Sequence, residues 1–129
     1  MSQFMILPTG SHLILLNQAI EMTKRYRENK EAILAPEYKG QNILSTCETF
    51  NKDQFLAYLS KVEVAAFRIY SGMSDDLRIH SIIVGVDKDG KDILPSNSSN
   101  VDLTASGGQI FEDGLMCPPI CPPLSDLNP

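Results

Sequence analysis

Apolar and charged residues occupy opposite helical faces in the N-terminal part of the chain. Over residues 17–31 this spacing predicts a helix that Asn17 caps and that Pro36 must end. The pattern leaves open whether residues 13–16 add a first helical turn, capped by Ser11, or form a short strand.

A second helix is predicted over residues 51–60. Asn51 can cap it, and Gln54 stands at the position that completes a capping box. Phe50 and Phe55 occupy the two positions of a hydrophobic staple, which fixes how the chain enters a helix.

Two further segments are rich in Val, Ile, Phe and Tyr, which are typical of strands. Residues 62–71 and 77–86 predict an antiparallel pair, and residues 91–94 predict a short edge strand that Pro95 stops. Residues 95–114 have loop composition. We therefore expect an α+β fold, in which a small antiparallel β-meander is packed with two helices.

The C-terminal end has a different pattern. Two cysteines are each followed by a double proline, in the segment Cys117-Pro118-Pro119-Ile120-Cys121-Pro122-Pro123. Such a run predicts polyproline II or a rigid turn. We expect one domain over residues 1–129, with a globular part at 1–114 and an extended Pro-rich tail at 115–129. Because apolar side chains lie between the prolines, we expect the tail to dock on a folded surface, of its own subunit or of a neighbouring one, and to bury Ile120 there.

Composition narrows the possible partners. The 129 residues are 43% hydrophobic and 21% charged, enough for one buried core, and the net charge of −5 argues against a nucleic-acid partner. No apolar stretch is long enough to span a membrane, so we expect no membrane insertion. Residues 1–16 carry no Lys or Arg and are interrupted by Pro8, which predicts no secretory signal, a cytoplasmic location and mostly reduced cysteines.

The cysteines are the first candidates for chemistry. Cys117 and Cys121 have a spacing found at zinc sites, and Cys47 and His80 are the candidates for further ligands. However, the neighbouring prolines have no backbone N–H to steady a thiolate, and the sequence has no second ligand pair. We therefore predict neither a metal site nor another cofactor.

A disulfide within the tail is a separate question. In polyproline II, four residues span about 12 Å, whereas a disulfide requires Cα atoms about 4.4 to 6.8 Å apart. Only a turn at Pro119-Ile120 would bring Cys117 and Cys121 together. A link from either of them to Cys47 is geometrically open but disfavoured in a reducing compartment. The sequence leaves open whether these cysteines are free, disulfide-linked or metal-bound, and free thiols suit the predicted compartment.

No motif identifies a reaction. Cys47 and His80 are the residue types of a nucleophile and its base, but nothing in the sequence places them together. His80 alternates with Ile82 and Val84 in a predicted strand, which favours a half-buried structural histidine. We therefore predict no catalytic residues, and the pattern favours a protein that is not an enzyme.

Several short stretches resemble a family of small bacterial proteins with no assigned activity, and the resemblance runs over nearly the whole chain from Leu13. It is carried by Ala19-Ile20-Glu21-Met22-Thr23, Arg25-Tyr26-Arg27, Gly40-Gln41-Asn42-Ile43-Leu44, Glu48-Thr49-Phe50, Tyr70-Ser71-Gly72-Met73 and the terminal Cys-Pro-Pro-x-Cys-Pro-Pro. The resemblance implies a single domain and no particular mechanism.

Two functional hypotheses follow. The first is a non-catalytic protein-interaction or assembly subunit, which binds a protein partner or a second copy of itself to form a homo-oligomer. Its interaction residues would be Cys117, Pro118, Pro119, Ile120, Cys121, Pro122 and Pro123. The alternative is a thiol-dependent metal-binding or redox protein that uses Cys117, Cys121 and Cys47.

Overall fold

The computed structural model describes residues 10–96 and 108–129. In these two stretches the chain forms two α-helices, one 3₁₀ turn and six strands. They are α1 (Leu16–Asn29), the 3₁₀ turn Pro36–Tyr38, β1 (Cys47–Thr49), α2 (Lys52–Leu59), β2 (Ala66–Met73), β3 (Ile79–Val86), β4 (Asp92–Ile93), β5 (Ile110–Phe111) and β6 (Leu115–Cys117). One sheet has the order β1-β6, and the other has the order β2-β3-β4 with β5 also paired to β3. The predicted α+β fold class is confirmed.

The chain forms two compact units. Among the described residues, the sheet unit contains 50–72, 80–96 and 108–113, and the ladder unit contains 10–49, 73–79 and 114–129. The expected single domain over residues 1–129 stays a prediction.

The sheet unit is organised around β3. Antiparallel pairing places Gly85 opposite Ile93 of β4 and Ile83 opposite Phe111 of β5. β2, β3 and β4 follow one another in space as in sequence, as the meander predicted. β5 was not predicted, because two residues are too short to give a periodic pattern.

The core of the sheet unit lies between α2 and the sheet. Tyr58, on α2, is 1% exposed, and its ring lies 5.8 Å from that of Phe111. Phe55 makes edge-to-face contacts with Phe67 at 5.6 Å and with Phe111 at 5.2 Å, a geometry that adds about 0.5 to 1.5 kcal/mol per pair beyond burial. The predicted cap of α2 is confirmed, since Asn51 Oδ1 accepts a hydrogen bond from Asp53 N at 3.0 Å.

The ladder unit begins with α1, which starts one residue earlier than predicted. Leu15 is the N-cap, and its backbone N–H donates to Gln18 Oε1 at 2.9 Å, so Asn17 is not the cap. The helix ends at Asn29, before the predicted residue 31. β1 and β6 form the second sheet of the molecule and belong to this unit.

Some sequence predictions fall on parts of the chain outside the described residues. Residues 97–107 belong to the predicted loop at 95–114, and residues 1–9 belong to the segment predicted to lack a secretory signal. Among the described residues, neither helix is long and apolar enough to cross a membrane.

Candidate thiol-disulfide site

The β1·β6 ladder brings two of the three cysteines together. Antiparallel pairing places Cys47 directly opposite Cys117, with Glu48 opposite Met116 and Thr49 opposite Leu115. Directly opposed residues project from the same face of a sheet, with Cβ atoms about 4.5 to 5.5 Å apart. Cys47 is a free cysteine of intermediate exposure. The Cys47 and Cys117 side chains therefore project from the same face of the β1·β6 ladder.

Cys117 is also joined to Cys121 by a disulfide, with Cα atoms 4.5 Å apart. The preference for free thiols is therefore wrong for these two residues, because the chain turns instead of continuing as polyproline II. The peptide bonds Cys117–Pro118 and Pro118–Pro119 are both cis, and Ile120 N donates to Met116 O at 2.9 Å. The turn lies at Pro118-Pro119, one residue before the position that the sequence indicated.

The two sulfur-bearing residues of this disulfide differ in exposure. Cys117 is 4% exposed, and its neighbour Met116 is also buried. Cys121 and the prolines that follow it are exposed. A reagent from solution therefore reaches Cys121 more readily than Cys117.

Backbone carbonyl groups hold the turn in place. Thr46 N donates to Cys117 O at 2.9 Å, and Arg78 Nη2 donates to Pro118 O at 2.8 Å. The same Arg78 side chain donates through Nε to Asn42 O at 2.7 Å. Although a proline donates no backbone hydrogen bond, its carbonyl group still accepts one.

The segment leading into β1 is anchored by Tyr26 of α1. Its hydroxyl donates to Ser45 O at 2.6 Å. Burial, helped by the Glu31 carboxylate, raises the pKa of the Tyr26 phenol above its ordinary value. The hydroxyl consequently keeps its proton, and with it this hydrogen bond, over the physiological pH range.

The rest of the tail is held mainly by polar contacts. Arg27 Nη1 of α1 donates to Leu127 O at 2.9 Å, and Asn128 Nδ2 donates to Pro122 O at 3.1 Å. Ile120 is 52% exposed within this chain, so the surface of the same chain does not bury it, and its burial against a neighbouring subunit stays a prediction. Within this chain the buried residues of the tail are Met116 and Cys117, both in β6.

The predicted interaction residues also differ in their exposure. Cys117 is buried, Pro118 is half-buried, and Pro119, Ile120, Cys121, Pro122 and Pro123 are exposed. The exposed members form a short surface that is apolar apart from its backbone groups. Their role in binding stays a prediction.

The candidate metal ligands are used in other ways. Cys117 and Cys121 form the disulfide, and His80, in the sheet unit, places Nδ1 at 2.9 Å from Glu112 Oε1. Across the two described stretches, no group of three or more His, Cys, Asp or Glu side chains is arranged to hold a metal ion. The arrangement around Cys47, Cys117 and Cys121 is suited instead to the exchange of sulfur–sulfur bonds.

The chain matches no family model, and no curated protein or solved structure is significantly similar to it.

Proposed function

We propose that this protein is a redox-responsive binding protein in which the Cys117–Cys121 disulfide sets the shape of a surface for a protein partner. The surface is the turn segment, Cys117–Pro123. The observation that carries the proposal is that the disulfide closes a turn whose outer residues, Pro119 to Pro123, are exposed. The proposal joins the interaction and redox hypotheses in one segment.

The closed turn favours binding because its conformation is fixed in advance. A preorganised ligand loses less conformational freedom when it binds. Closing a loop across a sequence separation of four removes about 2 kcal/mol of chain entropy. A partner that recognises only the closed turn would therefore bind up to about 30-fold more weakly after reduction.

The switch needs a cellular thiol as its reductant. Two thiol equivalents give two electrons and two protons to the disulfide, form one disulfide between themselves, and leave Cys117 and Cys121 as thiols. In the cytoplasmic location that we propose, protein disulfides are usually transient and act in catalysis or redox sensing. That location therefore suits a switch better than a permanent structural link.

The first test is a count of thiols by differential alkylation and mass spectrometry. We expect one alkylated cysteine per chain after equilibration in a glutathione redox buffer, and three after treatment with dithiothreitol. Cys47→Ser is the matched control, in which the oxidised protein should carry no free thiol. Three free thiols in the oxidised wild type would contradict the proposal.

The second test concerns the partner. Oxidised wild-type protein is immobilised, exposed to host extract, and washed with dithiothreitol. A specific partner should elute on reduction and should not be retained by Cys117→Ser/Cys121→Ser, which cannot close the turn. Equal retention by both proteins, before and after reduction, would show that binding does not depend on the disulfide.

A second candidate function is self-association through β2. This strand stands at the end of the order β2-β3-β4, and it exposes Phe67 and Ile69 by 50% and 58%. Strands at sheet edges offer unpaired backbone groups to another chain. We propose a strand-paired dimer, in which Ile69→Lys should lower the mass measured by light scattering. Leu56→Lys, which adds the same charge at an exposed position of α2, should leave the mass unchanged. A monomeric wild type at high micromolar concentration would contradict this candidate.

A further inference from the structure

Cys117 is placed so that it could form a disulfide with either Cys121 or Cys47. Its bond to Cys121 has a Cα separation of 4.5 Å. On its other side it faces Cys47, and directly opposed residues of an antiparallel pair have Cα atoms about 4.5 or 5.5 Å apart. Both values lie in the range of about 4.4 to 6.8 Å in which disulfides form. The Cα register therefore permits a Cys47–Cys117 disulfide as an alternative to the Cys117–Cys121 disulfide.

We infer that Cys47 is an internal nucleophile that exchanges with the Cys117–Cys121 disulfide. The Cys47 thiol gives its proton to water, and the resulting thiolate attacks Cys117 Sγ. The Cys117–Cys121 bond breaks as the Cys47–Cys117 bond forms, and Cys121 leaves as a thiolate that takes a proton from water. One sulfur–sulfur bond replaces another, so the step needs no oxidant or reductant.

The register selects which sulfur is attacked. Cys47 is opposite Cys117 and not Cys121. Cys117 is also the buried member of the disulfide, so an attacking group within the fold has an advantage over one from solution. Cys121 is exposed, which suits a leaving thiolate that must be solvated.

The exchange changes what the turn segment presents. It opens the small loop between Cys117 and Cys121 without any reduction and places a free thiol on the surface at Cys121. It also replaces a link across four residues by one between β1 and β6, which lie about 70 residues apart in sequence. This inference rests on the proposed function, because it requires the Cys117–Cys121 disulfide to form.

Trypsin provides a direct readout. Cleavage after Lys39, Lys52 and Lys91 puts Cys47 in one peptide and both Cys117 and Cys121 in another, because no Lys or Arg follows residue 91. A Cys47–Cys117 disulfide therefore joins two peptides, whereas Cys117–Cys121 stays within one. Mass spectrometry under non-reducing conditions distinguishes the two isomers.

The experiment compares three single variants in one neutral glutathione redox buffer. Cys121→Ser keeps the attacking thiol and its target, and we expect most of its molecules to contain the two-peptide link. Cys47→Ser should contain the one-peptide disulfide. Cys117→Ser lacks the shared sulfur, and we expect its two remaining cysteines to stay unlinked. Circular dichroism of each variant checks that it is folded.

The outcomes separate this inference from the proposal that it rests on. If Cys47→Ser forms its disulfide but folded Cys121→Ser keeps two free thiols, the exchange is wrong and the redox-responsive turn stands. If Cys47→Ser also stays reduced, both fail. Wild-type protein gives an independent check, because acid quenching and mapping should recover a fraction with the two-peptide link. Its complete absence would overturn the inference.

Discussion

The two units of the molecule are stabilised in different ways. The sheet unit buries the large side chains Tyr58, Ile83, Val84 and Val86, and three aromatic contacts connect α2 to β2 and β5. In the ladder unit the buried apolar residues are Ile43, Met116 and Cys117. Its tail is held by hydrogen bonds from arginine side chains to carbonyl groups and by a disulfide.

The difference shows where chemistry can control structure. Apolar burial involves no group whose charge or covalent state changes under cellular conditions, so it responds weakly to redox state. A tail held by a disulfide and by exposed polar contacts opens at lower free energy than a packed core. We therefore expect the sheet unit to set global stability and the ladder unit to respond to redox state and to pH.

The largest predicted effect is the loss of Tyr58. Tyr58→Ala removes a ring that is 1% exposed, and we expect the free energy of unfolding to fall by about 3 to 5 kcal/mol. Leu56→Ala, on the same helix but at a position that is 56% exposed, should change it by less than about 0.5 kcal/mol. Chemical denaturation measures both. Equal losses would contradict a core centred on Tyr58.

The next effect concerns a close backbone approach in the sheet unit. A Cβ added at Gly108 would lie 2.5 Å from the Ile93 carbonyl oxygen, a backbone atom that has little room to move. Gly108→Ala should therefore cost about 1 to 3 kcal/mol.

Gly72→Ala is the matched control. There the added Cβ would meet the Ile82 side chain at its terminal Cδ1, 2.6 Å away, and a flexible end can rotate aside. Its unfolding midpoint should stay closer to that of the wild type. If Gly108→Ala were the milder variant, the sheet unit would be packed more loosely at this position than the structure shows.

The sheet unit was the easier half to predict from sequence. Its helix start at Asn51 and its strands β2 and β3 carry local signals, namely a capping side chain and runs of β-branched and aromatic residues. β1 and β6 have three residues each, and each becomes a strand only by pairing with the other, far away in sequence. Periodicity detects local order and cannot detect such a pair.

The candidate site was predicted only in part, for the same reason. Cys117 and Cys121 stand out because of their unusual proline neighbours, whereas the role of Cys47 depends on a register that no short pattern encodes. The disulfide was disfavoured because polyproline II would hold the two cysteines too far apart and because a reducing compartment favours free thiols. Consecutive prolines also permit the chain to turn, and here it turns at Pro118-Pro119.

Reduction should affect the ladder unit selectively. Reducing the Cys117–Cys121 disulfide lets the opened tail regain conformational entropy, which stabilises the open state by about 2 kcal/mol. We expect hydrogen exchange at the Ile120 amide, which donates to Met116 O, to accelerate by roughly 30-fold on reduction. Amides of β3 that belong to the sheet unit, from His80 to Val86, should keep the protection that they have in the oxidised protein. Cys117→Ser/Cys121→Ser should already show the fast rate without reductant, and a uniform change in both units would contradict the comparison.

The smallest predicted effect is a local dependence on pH in the ladder unit. The Gly40 backbone N–H donates to Glu31 Oε1 at 2.6 Å, and this hydrogen bond, together with the charges of Lys30 and Lys39, lowers the pKa of the Glu31 carboxyl group. Because the pKa of Glu31 is lowered in the folded state, the contact contributes its full stabilisation above pH about 4.3, the ordinary pKa of glutamate. That stabilisation is lost as the pH falls through the lower folded-state pKa. In an NMR titration, the Gly40 amide shift should follow this carboxyl group, with a midpoint below that ordinary value.

Glu31→Gln keeps the acceptor oxygen and should abolish the titration, whereas Glu28→Gln, on α1, should leave it unchanged. A midpoint at or above the ordinary value would show that the Gly40 contact does not favour the charged carboxylate.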